Sequence, residues 1–431
     1  MMTPGLYRLL TYAATPLVRP LLERRRRRGK EDAARLPERL GHAGRGRPAG
    51  PLVWIHGASV GEAQSVLGLI RRLVDRGVAV MLTTGTVTSA ALMATRLPAG
   101  AFHQFVPVDH PAAVRRFLDH WRPDLAVWVE SELWPNLALD TAKRGVPMVL
   151  VNGRMSEASF AGWQKRPRLI GPLMAAFSFV LAQSAVDGER FRALGAADVR
   201  CLGNLKLEAP ALGADTAALA RLAAEVGERP RWLAASTHKG EEVAAGHVHA
   251  ALKARHPGLL TMIVPRHPER GEDIAAALAG QGLTVARRRA GEAIRPETDV
   301  YVADTLGELG LFYRLSGIVF IGGSLIPHGG QNPLEAARLG CALLAGRHMH
   351  NFAEVTALLQ QSDAILQVED EAALAAALDR LLGDAAEVER RAAAAAAVAA
   401  AGDGVLDRVV AALDPLLAGL RRPEVRRHEG A

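Results

Sequence analysis

From Pro51 onward, short runs of apolar and β-branched residues alternate with stretches whose apolar positions recur at helical spacing. The short runs predict strands at Leu52–Gly57, Val78–Gly85, Phe102–Asp109, Leu125–Glu130, Pro147–Gly153 and Phe179–Ser184. The stretch Ala63–Gly77 is of the second kind. Val66, Leu69, Ile70 and Leu73 fall on one side of a helix, and Gly77 closes it. Strands and helices in strict alternation predict parallel βαβ units.

The rhythm pauses at Gly203–Leu212 and then restarts. New strands are predicted at Arg231–Thr237, Leu259–His267, Asp299–Thr305, Gly317–Ser324 and Cys341–Gly346. The fold class is therefore α/β, as two tandem Rossmann-like, doubly wound domains. The expected organisation is a segment 1–50, a first domain 51–212, a second domain 213–395, and a C-terminal helix and tail 396–431. Such sheets bind ligands beyond the carboxyl ends of their strands. Polar signatures fall at those ends: His56, Thr83-Thr84, Glu130, Asn152, Thr237, Arg266-His267 and Gly322-Gly323. Two such domains facing each other would enclose a cleft. The alanine-rich run Arg390–Gly404 predicts a structural helix, since alanine is the best helix former. Residues 421–431 predict a frayed end.

Charge changes the picture at one end only. Residues 1–50 hold 12 Lys+Arg against 4 Asp+Glu, a surplus of 8, so of the +7 total the rest of the chain carries −1. The folded domains lack the basic stripes of a nucleic-acid-binding enzyme, so no nucleic-acid partner is expected. Leu9–Val18 is apolar between Arg8 and Arg19, too short to span a bilayer, which takes about 20 residues. The basic run Glu23–Lys30 follows it, the reverse of a secretory signal. Residues 1–30 therefore predict an interfacial helix beside a polybasic patch, in peripheral contact with a cytoplasmic membrane face. Two distant cysteines, Cys201 and Cys341, imply a reducing compartment, with neither a disulfide framework nor a zinc site.

Two segments carry the candidate chemistry. Gly57-Ala58-Ser59-Val60-Gly61 matches the G-x-S-x-G elbow of serine hydrolases, and Glu62 follows at once. The turn follows the first strand of its domain, and no second segment supplies an oxyanion loop. Glu62 is the better candidate, with Ser59, Gly61 and the helix start donating to a substrate. The other segment is Phe320–Gly340. Its glycines precede Asn332, read as a helix cap, and Pro333, read as the first helical residue. A phosphate is expected at Gly330–Asn332. Glu335 suits either the helix dipole or a ribose diol. No Gly-Lys-Ser/Thr follows, so this is not a Walker loop. Arg266 could neutralise a phosphate, whereas Arg270 reads as a turn residue.

Taken in order, HGASVGE, ESELWPN, GNLK, STHKGEE, PRHPER, DTLGELGLFY and GGSLIPHGGQNPLEAA resemble the signatures of the 3-deoxy-D-manno-octulosonic acid (Kdo) transferases of lipopolysaccharide assembly. Leu36–Gly41 is similar to the stretch that precedes their first domain. The resemblance implies a GT-B glycosyltransferase at the cytoplasmic face of the bacterial inner membrane. It implies transfer of Kdo from CMP-Kdo to the lipid A precursor lipid IVA, inverting, with no metal and no cofactor. The glutamate of the SVGE-type motif, Glu62 here, is then the catalytic base. A carboxylate of ESELWPN, Glu130 or Glu132, assists at the transition state together with Lys206. Glu132 is the favoured one, which leaves Glu130 with Ser59 and Gly61 for the acceptor. CMP would be held by Pro265 and Arg266, by Leu306, Gly307 and Glu308, and by Gly330 with Asn332, Pro333, Leu334 and Glu335. Position 306 is Leu where Met is common, and position 331 is Gln where His is common.

A base must take the acceptor proton as the hydroxyl attacks. A helix start lowers the pKa of Glu62 and burial raises it, and the sequence leaves that balance open. Two other functions fit the same domains: a nucleotide-sugar epimerase, which needs no membrane segment, and a catalytically silent sensor.

Overall fold

A computed structural model describes residues 2–208 and 211–420. It divides into two units, one of residues up to Leu205 together with Gly404 onward, the other Lys206–Asp403. Unit 1 holds β1 (Leu52–His56), β2 (Ala79–Thr84), β3 (Ala101–Phe105), β4 (Leu125–Val129), β5 (Met148–Gly153), β6 (Phe179–Ala182) and β7 (Val199–Cys201). They form one parallel sheet in the order β3-β2-β1-β4-β5-β6-β7. Unit 2 holds β8 (Arg231–Thr237), β9 (Leu260–Pro265), β10 (Val285–Arg287), β11 (Val300–Val302), β12 (Ile318–Ile321), β13 (Ala342–Gly346) and β14 (Ile365–Val368). Its parallel order is β10-β11-β9-β8-β12-β13-β14. Each unit is thus a Rossmann-like doubly wound sheet.

The central strands β1, β4, β12 and β13 are almost wholly apolar and buried because each sheet is covered on both faces. In β1, Leu52 and Trp54 join one apolar core with Trp128 and Phe117, while Val53 and Ile55 join another with Val127 and Leu69. In β8, Leu233 and Ala235 point into a core with Leu343, and Trp232 and Ala234 into one with Phe320. Successive side chains of a strand face opposite ways, so one run feeds two cores.

Three strands were not expected: β7, β10 and β14. All lie at or next to a sheet end and have three or four residues. The expected strand Phe102–Asp109 ends at Phe105. Beyond it the chain turns toward the N-terminal segment, where the Val108 N–H bonds to the Arg39 carbonyl at 2.8 Å. The expected helix over Ala63–Gly77 is two, Val60–Ser65 and Leu67–Val74, and Gly77 caps the second with φ +77°.

The unit boundary at Leu205/Lys206 precedes the expected position 212/213. The C-terminal helix Val405–Leu420 belongs to unit 1, because Val405, Val409, Leu413 and Leu417 enter the core beside β1 and β4. The tail 421–431 lies outside the described residues.

The N-terminal segment packs on unit 1 by polar contacts. Helix Pro4–Ala13 buries no residue, and helix Thr15–Arg27 buries only Leu22. The Tyr7 hydroxyl donates to Asp109 at 3.0 Å and Arg8 pairs with Asp140 at 2.7 Å. Among the described residues, no helix is long and apolar enough to cross a membrane.

Candidate active site

The strand order of unit 1 reverses between β1 and β4, and that of unit 2 between β8 and β12. A crevice opens at such a switch point, beyond the carboxyl ends of the strands. Most of the residues singled out by sequence sit at these two places.

In unit 1, Gly57-Ala58-Ser59 leaves β1 and Ser59 caps helix Val60–Ser65. Its hydroxyl oxygen accepts the Glu62 N–H at 3.3 Å and its O–H donates to Glu62 Oε1 at 2.7 Å. Glu62 Oε2 accepts the Ala58 N–H at 2.9 Å. This is close to a capping box, in which a cap hydroxyl and a third-position carboxylate satisfy each other's backbone neighbours. Ser59 has ordinary extended angles, φ −106° and ψ 169°, not the strain of a nucleophile elbow. Among the described residues its hydroxyl has a carboxylate partner and no histidine. The nearest histidine in sequence, His56, is sealed and bonds to Thr83.

Glu62 is only 7% exposed. Burial drives its pKa up, the charges of Glu130 and Glu132 add to this, and the bonds from Ser59 and Ala58 oppose it; the result is about 7. The balance left open by the sequence therefore falls on the side of burial. Glu130, just past β4, takes φ +60°, uncommon for a residue with a side chain, and its N–H bonds to the Val151 carbonyl at 3.0 Å. Glu132 Oε2 accepts the Trp134 indole N–H at 2.7 Å. Ser59, Gly61, Glu62, Glu130 and Glu132 thus gather at one switch point.

Asn152, the next-to-last residue of β5, has φ +53°, and its Oδ1 accepts the Leu205 N–H at 2.9 Å. It pins the chain one residue before Lys206. The Lys206 ammonium donates to Glu354 Oε2 at 2.7 Å, within unit 2. No spacing in the sequence links Glu354 to Lys206, and it was not foreseen.

In unit 2, Gly322 and Gly323 follow β12, and Gly323 has φ +68°. The backbone N–H groups of this turn are occupied from within. Glu241, 2% exposed, accepts the N–H of His238 at 2.9 Å, Gly323 at 2.6 Å, Ser324 at 3.0 Å and Leu325 at 3.1 Å. Farther on, the Gly330 and Gln331 N–H groups donate to the carbonyls of Gly323 and Gly322. The amides of Gly330 and Gln331, expected to cradle a phosphate, are thus engaged. Glu241 was visible in STHKGEE, but nothing in the sequence said that its carboxylate fills the nest.

Helix Leu334–Arg338 begins one residue later than expected, so Pro333 and not Asn332 is its cap residue; Asn332 stands just before it, its Oδ1 accepting the Leu334 N–H at 3.1 Å. Burial raises the Glu335 carboxyl, while the Asn332 amide and the Arg266 charge hold it down. Arg266 follows Pro265 at the end of β9, exposed, with its N–H on the Thr237 carbonyl at 3.0 Å. Arg270 is committed to Glu242 at 2.8 and 3.2 Å. Glu308 is held below the usual range by Arg288, whose guanidinium forks onto it at 2.7 and 2.5 Å. Beside it, Leu306 is 80% exposed and Gly307 has φ +82°. Among the described residues, no group of three or more His, Cys, Asp or Glu is placed to hold a metal ion.

Residues 34–209 match the family model of the 3-deoxy-D-manno-octulosonic-acid transferases (kdotransferases). The chain is 38% identical to the Arabidopsis thaliana protein named "Probable 3-deoxy-D-manno-octulosonic acid transferase, mitochondrial", covering 88% of each. It is 33% identical to the 3-deoxy-D-manno-octulosonic acid transferase of Haemophilus influenzae, covering 89% of this chain and 91% of that one. Among solved structures it is similar to the C-terminal CMP-Kdo binding domain of WaaA from Acinetobacter baumannii, with 31% identity, a TM-score of 0.41, and 42% of this chain and 96% of that one covered.

Proposed function

The chain belongs to the 3-deoxy-D-manno-octulosonic acid (Kdo) transferases and is a glycosyltransferase, and from that premise we propose that it moves Kdo from CMP-Kdo to lipid IVA, with inversion and without a metal. The observation that carries the proposal is Glu62: a buried carboxylate at the β1/β4 switch point whose pKa of about 7 suits a base at neutral pH. The acceptor hydroxyl gives its proton to Glu62 as its oxygen bonds to the ketosidic carbon. The bond from that carbon to the phosphate oxygen breaks, and CMP leaves with the electron pair.

Unit 1 takes the acceptor in this scheme. Glu132 and Lys206 assist as charge develops, and Ser59, Gly61 and Glu130 meet the acceptor. Unit 2 takes CMP, with Arg266 and Asn332 as its cationic and polar supports and Glu335 on the ribose. Pro265, Leu306, Gly307, Glu308, Gly330, Pro333 and Leu334 shape the same place. Positive groups on a leaving phosphate supply what a divalent ion supplies in other transferases.

The test is to mix the protein with CMP-Kdo and lipid IVA, with and without a chelator, and weigh the lipid product. One or more added Kdo units, undiminished by the chelator, are expected. No added mass, or a strict Mg²⁺ requirement, would sink the donor–acceptor assignment or its metal independence respectively.

The N-terminal helices are the proposed membrane contact, on the cytoplasmic face of the inner membrane. Leu9 is 63%, Tyr12 61% and Leu17 68% exposed, beside the arginines of helix Thr15–Arg27. Apolar side chains next to a polybasic run suit an anionic bilayer surface. Replacing Leu9, Leu10 and Leu17 by Ser is expected to lower binding to anionic vesicles at least about tenfold, since each buried leucine is worth about 1.5–3 kcal/mol. Co-sedimentation measures it, and unchanged binding would remove this role.

A further inference from the structure

At the β8/β12 switch point of unit 2 stands a constellation outside the chemistry proposed for Glu62 and Lys206. His238 follows β8, and its ring stacks on His328 with centroids 3.8 Å apart at 30°. Its Nε2 lies 3.0 Å from the Gln331 amide nitrogen. An amide nitrogen only donates, so this imidazole nitrogen accepts, and in the neutral ring the proton sits on Nδ1. Burial lowers the ring's pKa to about 4, helped by His328, His267, Arg266 and Arg270, so the ring is neutral at pH 7. Nδ1 has no hydrogen-bond partner among the described residues, yet it is not one of the sealed polar atoms.

The surroundings sharpen the meaning of that one N–H. The Gly323–Leu325 amides are taken by Glu241, those of Gly330 and Gln331 by carbonyls, and Arg270 by Glu242. An anion arriving at this switch point therefore meets the exposed Arg266 and the Nδ1–H of His238.

We propose that His238, oriented by Gln331 and His328, donates its Nδ1–H to a phosphate oxygen of the donor nucleotide. This rests on the reading of unit 2 as the CMP site. It gives a definite role to Gln331, which stands where the family more often has His, because the amide nitrogen of Gln331 fixes the tautomer of its neighbour.

Calorimetric titration of the full chain with CMP and with cytidine tests it, using His238→Gln, His238→Asn and Arg266→Ala. The amide of Gln reaches the place of Nε2, and that of Asn the place of Nδ1. A hydrogen bond to a charged group predicts that His238→Gln weakens CMP by about ten- to a hundredfold. His238→Asn should recover most of the loss, and cytidine, which has no phosphate, should bind all His238 variants alike. CMP binding by His238→Gln equal to the parent, an Asn variant as weak as the Gln variant, or parallel loss of cytidine would each overturn the proposal. If Arg266→Ala still loses CMP in that case, the donor site stands without His238. A parent protein that binds no CMP would remove the donor site itself.

Discussion

Glu62→Gln is expected to lower Kdo transfer by about 10²- to 10⁴-fold, the usual worth of a positioned general base, while CMP affinity stays unchanged. The substitution is nearly isosteric. The Gln carbonyl can accept the Ala58 N–H that now bonds Oε2 at 2.9 Å, and its NH₂ can donate to the Ser59 hydroxyl oxygen that now sits 2.7 Å from Oε1. The cap of helix Val60–Ser65 therefore survives, and what is lost is the ability to accept a proton. The pH profile is the second signature. Burial, with Glu130 and Glu132, raises the Glu62 carboxyl from 4.5 to about 7, and a base works only when ionised. Parent activity should fall about tenfold per pH unit as pH drops below that value, and the residual activity of the variant should lose this limb. Time courses of product mass across pH 5–9 measure both, at about half-unit steps. A Ser59→Ala variant equally dead, with an esterase activity lost in parallel, would transfer the chemistry to the hydroxyl.

The same carboxylate shows where sequence reading succeeds and where it stops. Strand–helix alternation predicted two parallel sheets because an apolar run between turn residues is a local signal, and eleven of the fourteen strands among the described residues were visible that way. The three missed strands are short ones at or next to sheet ends, with too little burial to leave a pattern: β7 exposes Arg200 and Cys201. The sequence also placed Glu62 at a helix start but left its protonation open. Burial in the folded unit raises its pKa most, and the charges of Glu130 and Glu132 add to that; both lie more than sixty residues away along the chain and come close because β1 pairs with β4. Glu241 and Gly323 are a similar case. The glycines beside the helix start at Asn332 read as an anion cradle, but the Gly330 and Gln331 amides bond to backbone carbonyls, and the amides that do hold a carboxylate are those of Gly323–Leu325, filled by a side chain 82 residues upstream of Gly323. The pairing of Lys206 with Glu354 spans 148 residues and leaves no trace in either segment.

That pairing frames the second large effect. Lys206→Ala is expected to cut turnover by about 10²- to 10³-fold, as removal of one group that stabilises transition-state charge does, and to weaken CMP by less than about tenfold. The reason lies in timing: in the proposed reaction the leaving phosphate gains charge only as the ketosidic bond breaks, so an ammonium that met it then would contribute to the barrier more than to ground-state binding. Asn152 sets up the geometry by holding the Leu205 N–H at 2.9 Å, and Glu354 anchors the ammonium at 2.7 Å. Glu354→Gln, which keeps a hydrogen-bond acceptor and removes the charge, serves as the control and should cost less than about tenfold in turnover, the worth of one partly exposed ion pair. Turnover and CMP affinity measured on both variants separate the cases. If Lys206→Ala lost CMP affinity as severely as turnover, the ammonium would be an ordinary ligand contact. If Glu354→Gln were as inactive as Lys206→Ala, the pair would act as one structural unit and the lysine alone would carry no share of the chemistry.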